Sequence, residues 1–136
     1  MMRCLDTNVV IGVLNGSPLR LLRRFEIEFP RDAVVLPTIV LFELEYGVAK
    51  SGRRRTENAE RLAAFLRAPI TVLPFDADDA REAGDIRAGL AKAGRPIGPY
   101  DILIAAQARR RGATLVTANE REFARVPGLK TEDWAR

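Results

Sequence analysis

The chain has 136 residues, 47% of them hydrophobic and 29% charged, which is typical of a folded globular protein and unlike a disordered or fibrous one. No apolar stretch approaches the roughly 20 residues of a membrane span and no basic and apolar leader opens the chain, so we expect one domain over residues 1–136 in the cytoplasm. Histidine is absent and Cys4 is the only cysteine, which excludes histidine-based triads, histidine-ligated metals and internal disulfides.

Arginine dominates the net charge of +4, which comes from 22 Lys and Arg against 18 Asp and Glu. Its planar guanidinium suits bidentate contact with phosphate, although runs of charge also form ordinary solvated helix ends. The runs are Arg23 and Arg24, then Arg53, Arg54 and Arg55, then Arg109, Arg110 and Arg111. We predict the second and third runs as candidate phosphate contacts.

The first half of the chain predicts two strands and three helices. Residues 3–5 form the first strand, followed by the helix "DTNVVIGVLNGS", which stops at Asn15-Gly16. A second helix, "SPLRLLRRFEIEF", begins with Ser17 as N-cap and Pro18 at the first helical position. The buried second strand is "AVVLPT", and Thr38 is predicted to cap the helix "IVLFELEYGVAK".

The second half repeats this alternation. We predict a helix over "TENAERLAAFL", a third strand in "APITVLPF", a helix from Asp76 to Ala93, a helix "YDILIAAQARRR" with Pro99 in its first turn, and a fourth strand, "ATLVT". A short helix and an extended segment follow. This order predicts an α/β fold with a central, mostly parallel sheet of four to five strands and helices on both faces, and such sheets bind ligands at the carboxyl ends of their strands.

Acidic side chains stand where these strands end. Asp6 directly follows the first strand, and an ionised carboxylate at the end of a buried strand is costly unless a cation or hydrogen-bond donors compensate it. Glu43 lies in the helix after the second strand, with Gly47 one turn later. Glu45 lies on another face of that helix, and the local pattern does not choose between the two glutamates.

Two more polar groups complete the candidates. Asp101 heads the apolar face of its helix, although an aspartate there also interacts favourably with the helix dipole. Asn119, Glu120 and Glu122 follow the fourth strand, and Asn119 with Glu122 also fits a capping box.

Convergence of these carboxylates would require a cation. Two carboxylates about 4 Å apart repel by about 4 kcal/mol at an effective dielectric constant of 20. Oxygen ligands without histidine or cysteine select Mg²⁺ or Mn²⁺. An ion of this kind suits metal-assisted hydrolysis of a phosphodiester.

Four segments together resemble one known family. "LDTN", "ELEYG", "IGPYDILIAAQARRRG" and "LVTANEREFARVPGLKTEDW", in this order and spacing, are similar to the PIN-domain ribonuclease toxins of the VapC type, over nearly the whole chain. The resemblance implies a PIN fold, a divalent-metal endoribonuclease site, and a VapB-like, DNA-binding antitoxin whose C-terminal tail occludes that site. It also implies a homodimer and a higher toxin–antitoxin complex.

The family's acidic triad matches Asp6, Glu43 and Asp101, which favours Glu43 over Glu45. We predict Asp6, Asp101 and Glu43 as the metal ligands, with Asp6 and Asp101 holding the ion and Glu43 also orienting or deprotonating the water. Asn119 stands where many relatives have a fourth aspartate, so the second metal position stays open.

Further residues are candidates for supporting roles. Glu120 and Glu122 are possible fourth ligands, and Thr7, Asn8 and Thr117 flank the cluster, where they would orient the carboxylates. The arginine runs would attract an RNA backbone.

Two alternatives to a nuclease remain. A catalytically silent module that only binds an antitoxin is consistent with Asn119. A receiver-like, magnesium-binding signalling domain would need an aspartate after the third strand, where the chain has Pro74.

Overall fold

A computed structural model describes residues 1–136 and shows strands alternating with helices along the chain. The strands are β1 (Met2–Leu5), β2 (Ala33–Pro37), β3 (Thr71–Leu73), β4 (Thr114–Val116) and β5 (Lys130–Glu132). The helices are α1 (Thr7–Asn15), α2 (Leu19–Glu28), α3 (Thr38–Ala49), α4 (Arg55–Leu66), α5 (Ala77–Lys92), α6 (Pro99–Arg110) and α7 (Glu120–Phe123), with a 3₁₀ turn over Gly52–Arg54. None of the helices has both the length and the apolar character that crossing a membrane requires.

The five strands form one sheet in the order β3-β2-β1-β4-β5, and every neighbouring pair is parallel. This confirms the predicted α/β fold and its four to five strands. A core of 26 buried apolar residues surrounds the central strand β1, and it includes Cys4. Because all strands run the same way, the residues after β1, β2 and β4 meet at one edge of the sheet.

The end of α1 follows the predicted pattern. Gly16 adopts a left-handed conformation with φ of 65°, which favours glycine. The N–H groups of Gly16 and Ser17 donate to the carbonyls of Val13 and Gly12 at 3.2 and 3.0 Å, so they satisfy two groups that the helix end leaves open.

Two predicted helix caps were wrong. Ser17 does not cap α2, because its backbone closes α1 and the extended Pro18 occupies the N-cap position without a side-chain hydrogen bond. Thr38 is the first residue of α3, and its hydroxyl donates to the carbonyl oxygen of Leu73 at the end of β3. The Thr38 hydroxyl therefore joins α3 to β3 instead of capping the start of α3.

Candidate active site

Asp6 stands at the carboxyl end of β1 and caps α1. Its Oδ1 accepts the N–H of Thr7 at 2.8 Å, and its Oδ2 accepts the hydroxyl of Thr117 at 2.8 Å. Burial raises the pKa of Asp6, the hydrogen bonds from Thr117 and Thr7 act in the opposite direction, and the charges of Glu43 and Glu122 raise the pKa further. The Asp6 carboxyl is therefore oriented by two donors but lacks a nearby positive charge.

Glu43 on α3 is tied to the same place by Thr7. The Thr7 hydroxyl donates to Oε1 of Glu43 at 2.7 Å, so one threonine contacts both Asp6 and Glu43. Glu45 is exposed on another face of the helix. Asn8, which was predicted to flank the cluster, is exposed, and its side chain makes no hydrogen bond within the chain.

Asp101 lies in the first turn of α6 and is half-buried. Burial raises its pKa to about 6, with further increases from the negative charges of Asp6, Glu122 and Glu43. Four carboxylates from four separate elements therefore interact electrostatically at one edge of the sheet.

Glu122 on α7 is the fourth member of this acidic cluster, which we define as Asp6, Glu43, Asp101 and Glu122. Its Oε1 accepts the N–H of Gly98 at 3.1 Å and its Oε2 accepts the side-chain amide of Asn119 at 2.6 Å. The capping-box alternative for Asn119 and Glu122 was wrong, because Asn119 makes no side-chain cap hydrogen bond and Glu122 is held instead by the loop before α6.

Glu120 is directed elsewhere. Its Oε2 accepts the hydroxyl of Thr131 on β5 at 2.8 Å. Gly98, by contrast, was missed by sequence reasoning, although it belongs to "IGPYD" just before Asp101. A Cβ at Gly98 would lie 3.1 Å from Oδ2 of Asp101, which is closer than ordinary contact, so the glycine makes room for this carboxylate.

The acidic cluster fits a divalent cation in its chemistry. Its donors are carboxylate oxygens, and burial together with the neighbouring negative charges raises the pKa values of Asp6 and Asp101, a cost that a bound cation would offset. In the present side-chain positions, no group of three acidic residues is arranged so that it could hold a metal ion. Uncompensated like charges repel, so closing the cluster around an ion would require its side chains to move closer together.

Each arginine of the run Arg109 to Arg111, predicted as candidate phosphate contacts, is paired with a carboxylate of the chain. Arg109 pairs with Glu82 at 2.6 Å, and Arg110 and Arg111 each approach Oδ1 of Asp79 at 2.8 Å. The run ends α6, whereas Asp101 begins it, and eight residues of helix span about 12 Å. Carboxylates of α5 therefore occupy these arginines.

The run Arg53 to Arg55 is exposed at the start of α4. Arg54 lines a cavity of about 290 Å³ that Glu43 also lines. This member of the two predicted runs therefore shares a cavity with the acidic cluster.

Comparison with known proteins identifies the family. The model of the PIN domain matches residues 3–129. A tRNA(fMet)-specific endonuclease VapC of Shigella flexneri is 42% identical over 131 residues, covering 96% of each chain. This chain belongs to the PIN-domain VapC ribonucleases. The membership confirms the resemblance and excludes the receiver-like alternative.

Solved structures of VapC relatives have the same fold. A VapBC2 complex of Rickettsia felis bound to a promoter DNA fragment has a TM-score of 0.90 at 34% identity and covers 98% of this chain and 99% of that one. A DNA-bound VapBC of Salmonella typhimurium has a TM-score of 0.88 at 39% identity and covers 98% of each. A ribonuclease VapC2 of Rickettsia felis is 36% identical over 134 residues, covering 98% of each chain.

Proposed function

We propose that this VapC-family chain hydrolyses RNA phosphodiester bonds with Mg²⁺ or Mn²⁺ held by the acidic cluster. The supporting observation is the convergence of carboxylates at the end of β1 and on α3, α6 and α7, whose charges add to the effect of burial in raising the pKa of Asp101 to about 6. Asp6 and Asp101 hold the ion, and Glu122 supplies the further carboxylate that position 119 lacks. A bound ion of this kind polarises a phosphate oxygen and lowers the pKa of a bound water.

The chain's own residues orient the reaction. Thr7 and Thr117 fix the carboxylate of Asp6. Glu43 uses Oε1 to accept the Thr7 hydroxyl and leaves Oε2 without a partner in the chain. That oxygen is the proposed acceptor for a proton of the attacking water, since a general base must reach the water while held in place.

The proposed partner is a VapB-like, DNA-binding antitoxin whose tail covers the acidic cluster, in a complex built on a toxin homodimer. Support comes from the VapBC complexes of Rickettsia felis and Salmonella typhimurium, whose toxin chains resemble this one along almost their whole length. An antitoxin tail would compensate the acidic cluster best with a basic side chain.

A calorimetric titration with Mg²⁺ and Mn²⁺, paired with an RNA-cleavage assay with and without EDTA, tests this function. We expect one or two ions to bind, cleavage to stop in EDTA, and Asp6→Asn and Asp101→Asn to lose cleavage while keeping the circular dichroism of the wild type. A chain that binds the antitoxin but takes up neither metal nor RNA would instead be the catalytically silent module. Full cleavage by either aspartate variant would contradict the assigned ligands.

A further inference from the structure

Gly47 on α3 has no structural reason within the chain to be a glycine. It is in the interior of a helix, where glycine costs roughly 0.5 to 1 kcal/mol relative to alanine, and its φ is not positive. A Cβ built on Gly47 meets no atom within 4 Å. The space beside Gly47 is therefore not filled by this protein.

That space belongs to a groove between α1, α3 and α4, with a volume of about 290 Å³. Glu43 lines it one turn before Gly47, so the groove opens onto the acidic cluster. On α1, Ile11 and Leu14 supply an apolar wall, and Ile11 is 41% exposed. An apolar wall beside a catalytic carboxylate suits the face of a nucleic-acid base.

The opposite wall is polar and positive. Arg54, Asn58 and Arg61 line the groove at a spacing of four and three residues, which puts them on one helical face of α4 and the turn before it. Arg61 is already engaged, because it donates to the Leu14 carbonyl and to Oδ1 of Asn15, the latter at 3.2 Å. Arg54 is 65% exposed, and its one intrachain ion pair, with Glu57, is long at 3.6 Å.

We propose that this groove, which we call the α4 groove, binds the single-stranded RNA on one side of the scissile phosphate. The proposal rests on the proposed function and names the path of its substrate. Arg54 contacts a backbone phosphate, Asn58 reads the edge of a base, and the missing side chain of Gly47 admits the strand next to Glu43. RNA is favoured as the occupant because the groove combines an exposed and only weakly paired guanidinium, an amide and an apolar wall at a nuclease site.

The acidic cluster itself makes such a groove necessary. A bound ion serves the scissile phosphate, whereas any carboxylate charge that it leaves uncompensated repels the neighbouring phosphates, so the flanks have to supply further binding energy. Glu122 lines a second polar cavity with Asn119, Arg121 and Arg125, whereas Glu43 lines the α4 groove, so the two cavities reach different members of the cluster. A strand crossing the cluster would thus leave one cationic surface and reach another.

An RNA-binding measurement tests the proposal. The probe is a short fluorescein-labelled single-stranded RNA of mixed sequence, and its binding is followed by anisotropy. All variants also carry Asp101→Asn, so that the RNA is not cut during the measurement. Gly47→Leu, whose Cβ meets no atom within 4 Å, should occupy the groove and raise the Kd at least about tenfold. Arg54→Gln should raise the Kd several-fold and lower the slope of log Kd against log salt by about 0.7, the amount expected for one lost phosphate contact. Gly47→Leu should leave that slope unchanged.

Matched controls come from α5. Gly84 is also a helical glycine with open space around it, and Arg87 is an exposed arginine, so Gly84→Leu and Arg87→Gln should bind RNA as the wild type does. Equal binding by the groove variants and their controls would overturn the proposal. It would do so even if the groove variants lost binding of an antitoxin, since the groove would then belong to that partner. Wild-type protein that neither binds nor cuts RNA would overturn the proposed function together with this path.

Discussion

Thr117 donates its hydroxyl to Oδ2 of Asp6 at 2.8 Å, although 111 positions separate them in the chain. Both residues are buried, because β1 and β4 are neighbouring parallel strands that end side by side. The hydroxyl oxygen of Thr117 also accepts the N–H of Asn119 at 3.0 Å. Thr117 therefore joins the segment after β4 to the carboxylate after β1.

Replacing Thr117 tests this link. Thr117→Val keeps the shape but removes the donor, so we expect kcat for RNA cleavage to fall about tenfold or more with little change in KM. Thr117→Ser keeps the hydroxyl and should restore kcat to within a few-fold of the wild type. A serine variant as impaired as the valine variant would show that the threonine acts through packing alone.

Burial and like charge within the acidic cluster should make stability depend on pH. Because the pKa of Asp101 is about 6 in the folded chain against 3.8 ordinarily, the folded state binds more protons than the unfolded state between these values. In EDTA, the free energy of unfolding should therefore decrease as the pH rises from about 4 to about 6. The raised pKa of Asp6 acts in the same direction.

Asp101→Asn removes this contribution. We expect the variant to melt a few degrees above the wild type at pH 7 in EDTA and at the same temperature at pH 4, as measured by thermal denaturation. Mg²⁺ should stabilise the wild type more than the variant, since ions that bind only the folded state raise its stability. A wild type that is more stable than the variant in EDTA at pH 7 would contradict the inferred repulsion.

Gly98 should help to position Asp101, although a glycine has no side chain that could take part in the reaction. A methyl group there would press on Oδ2 of Asp101 at 3.1 Å, and the backbone φ of −55° accepts alanine. We therefore expect Gly98→Ala to fold normally and to lower kcat roughly tenfold, measured at saturating RNA. Gly89→Ala, whose added methyl would meet nothing within 4 Å, is the control.

Asp79 should matter for stability rather than for cleavage. Although burial favours its neutral form, hydrogen bonds from Arg111 and Arg110 hold the pKa of Asp79 well below its usual range. Asp79→Asn leaves these two arginines without their shared charge, so we expect Tm to fall by roughly 5 to 10 °C. At a temperature where both proteins are folded, kcat should be unchanged, and a lower kcat would place the ion pairs within the catalytic machinery.

Most of the fold can be predicted from local signals in the sequence. The apolar runs of β1 and β4, the glycine after α1 and the alternation of strands and helices are local signals, and together they determine a parallel α/β sheet. Parallel strands share one carboxyl edge, so the placement of Asp6 near the residues after β4 also follows. The choice of Glu43 over Glu45 came from the family resemblance, and the structure shows the packing behind it, since Glu43 meets Thr7 while Glu45 faces outward.

Only the tertiary structure decided which charges meet. Arg110 and Arg111 look as available for phosphate as Arg54 does, yet Asp79 of α5, 31 and 32 positions earlier, takes both. Glu122 looks like part of a cap until the loop at Gly98 approaches it. A side chain's partners depend on which elements pack together in space, and Coulomb and hydrogen-bond energies act over a few ångströms whatever the distance along the chain.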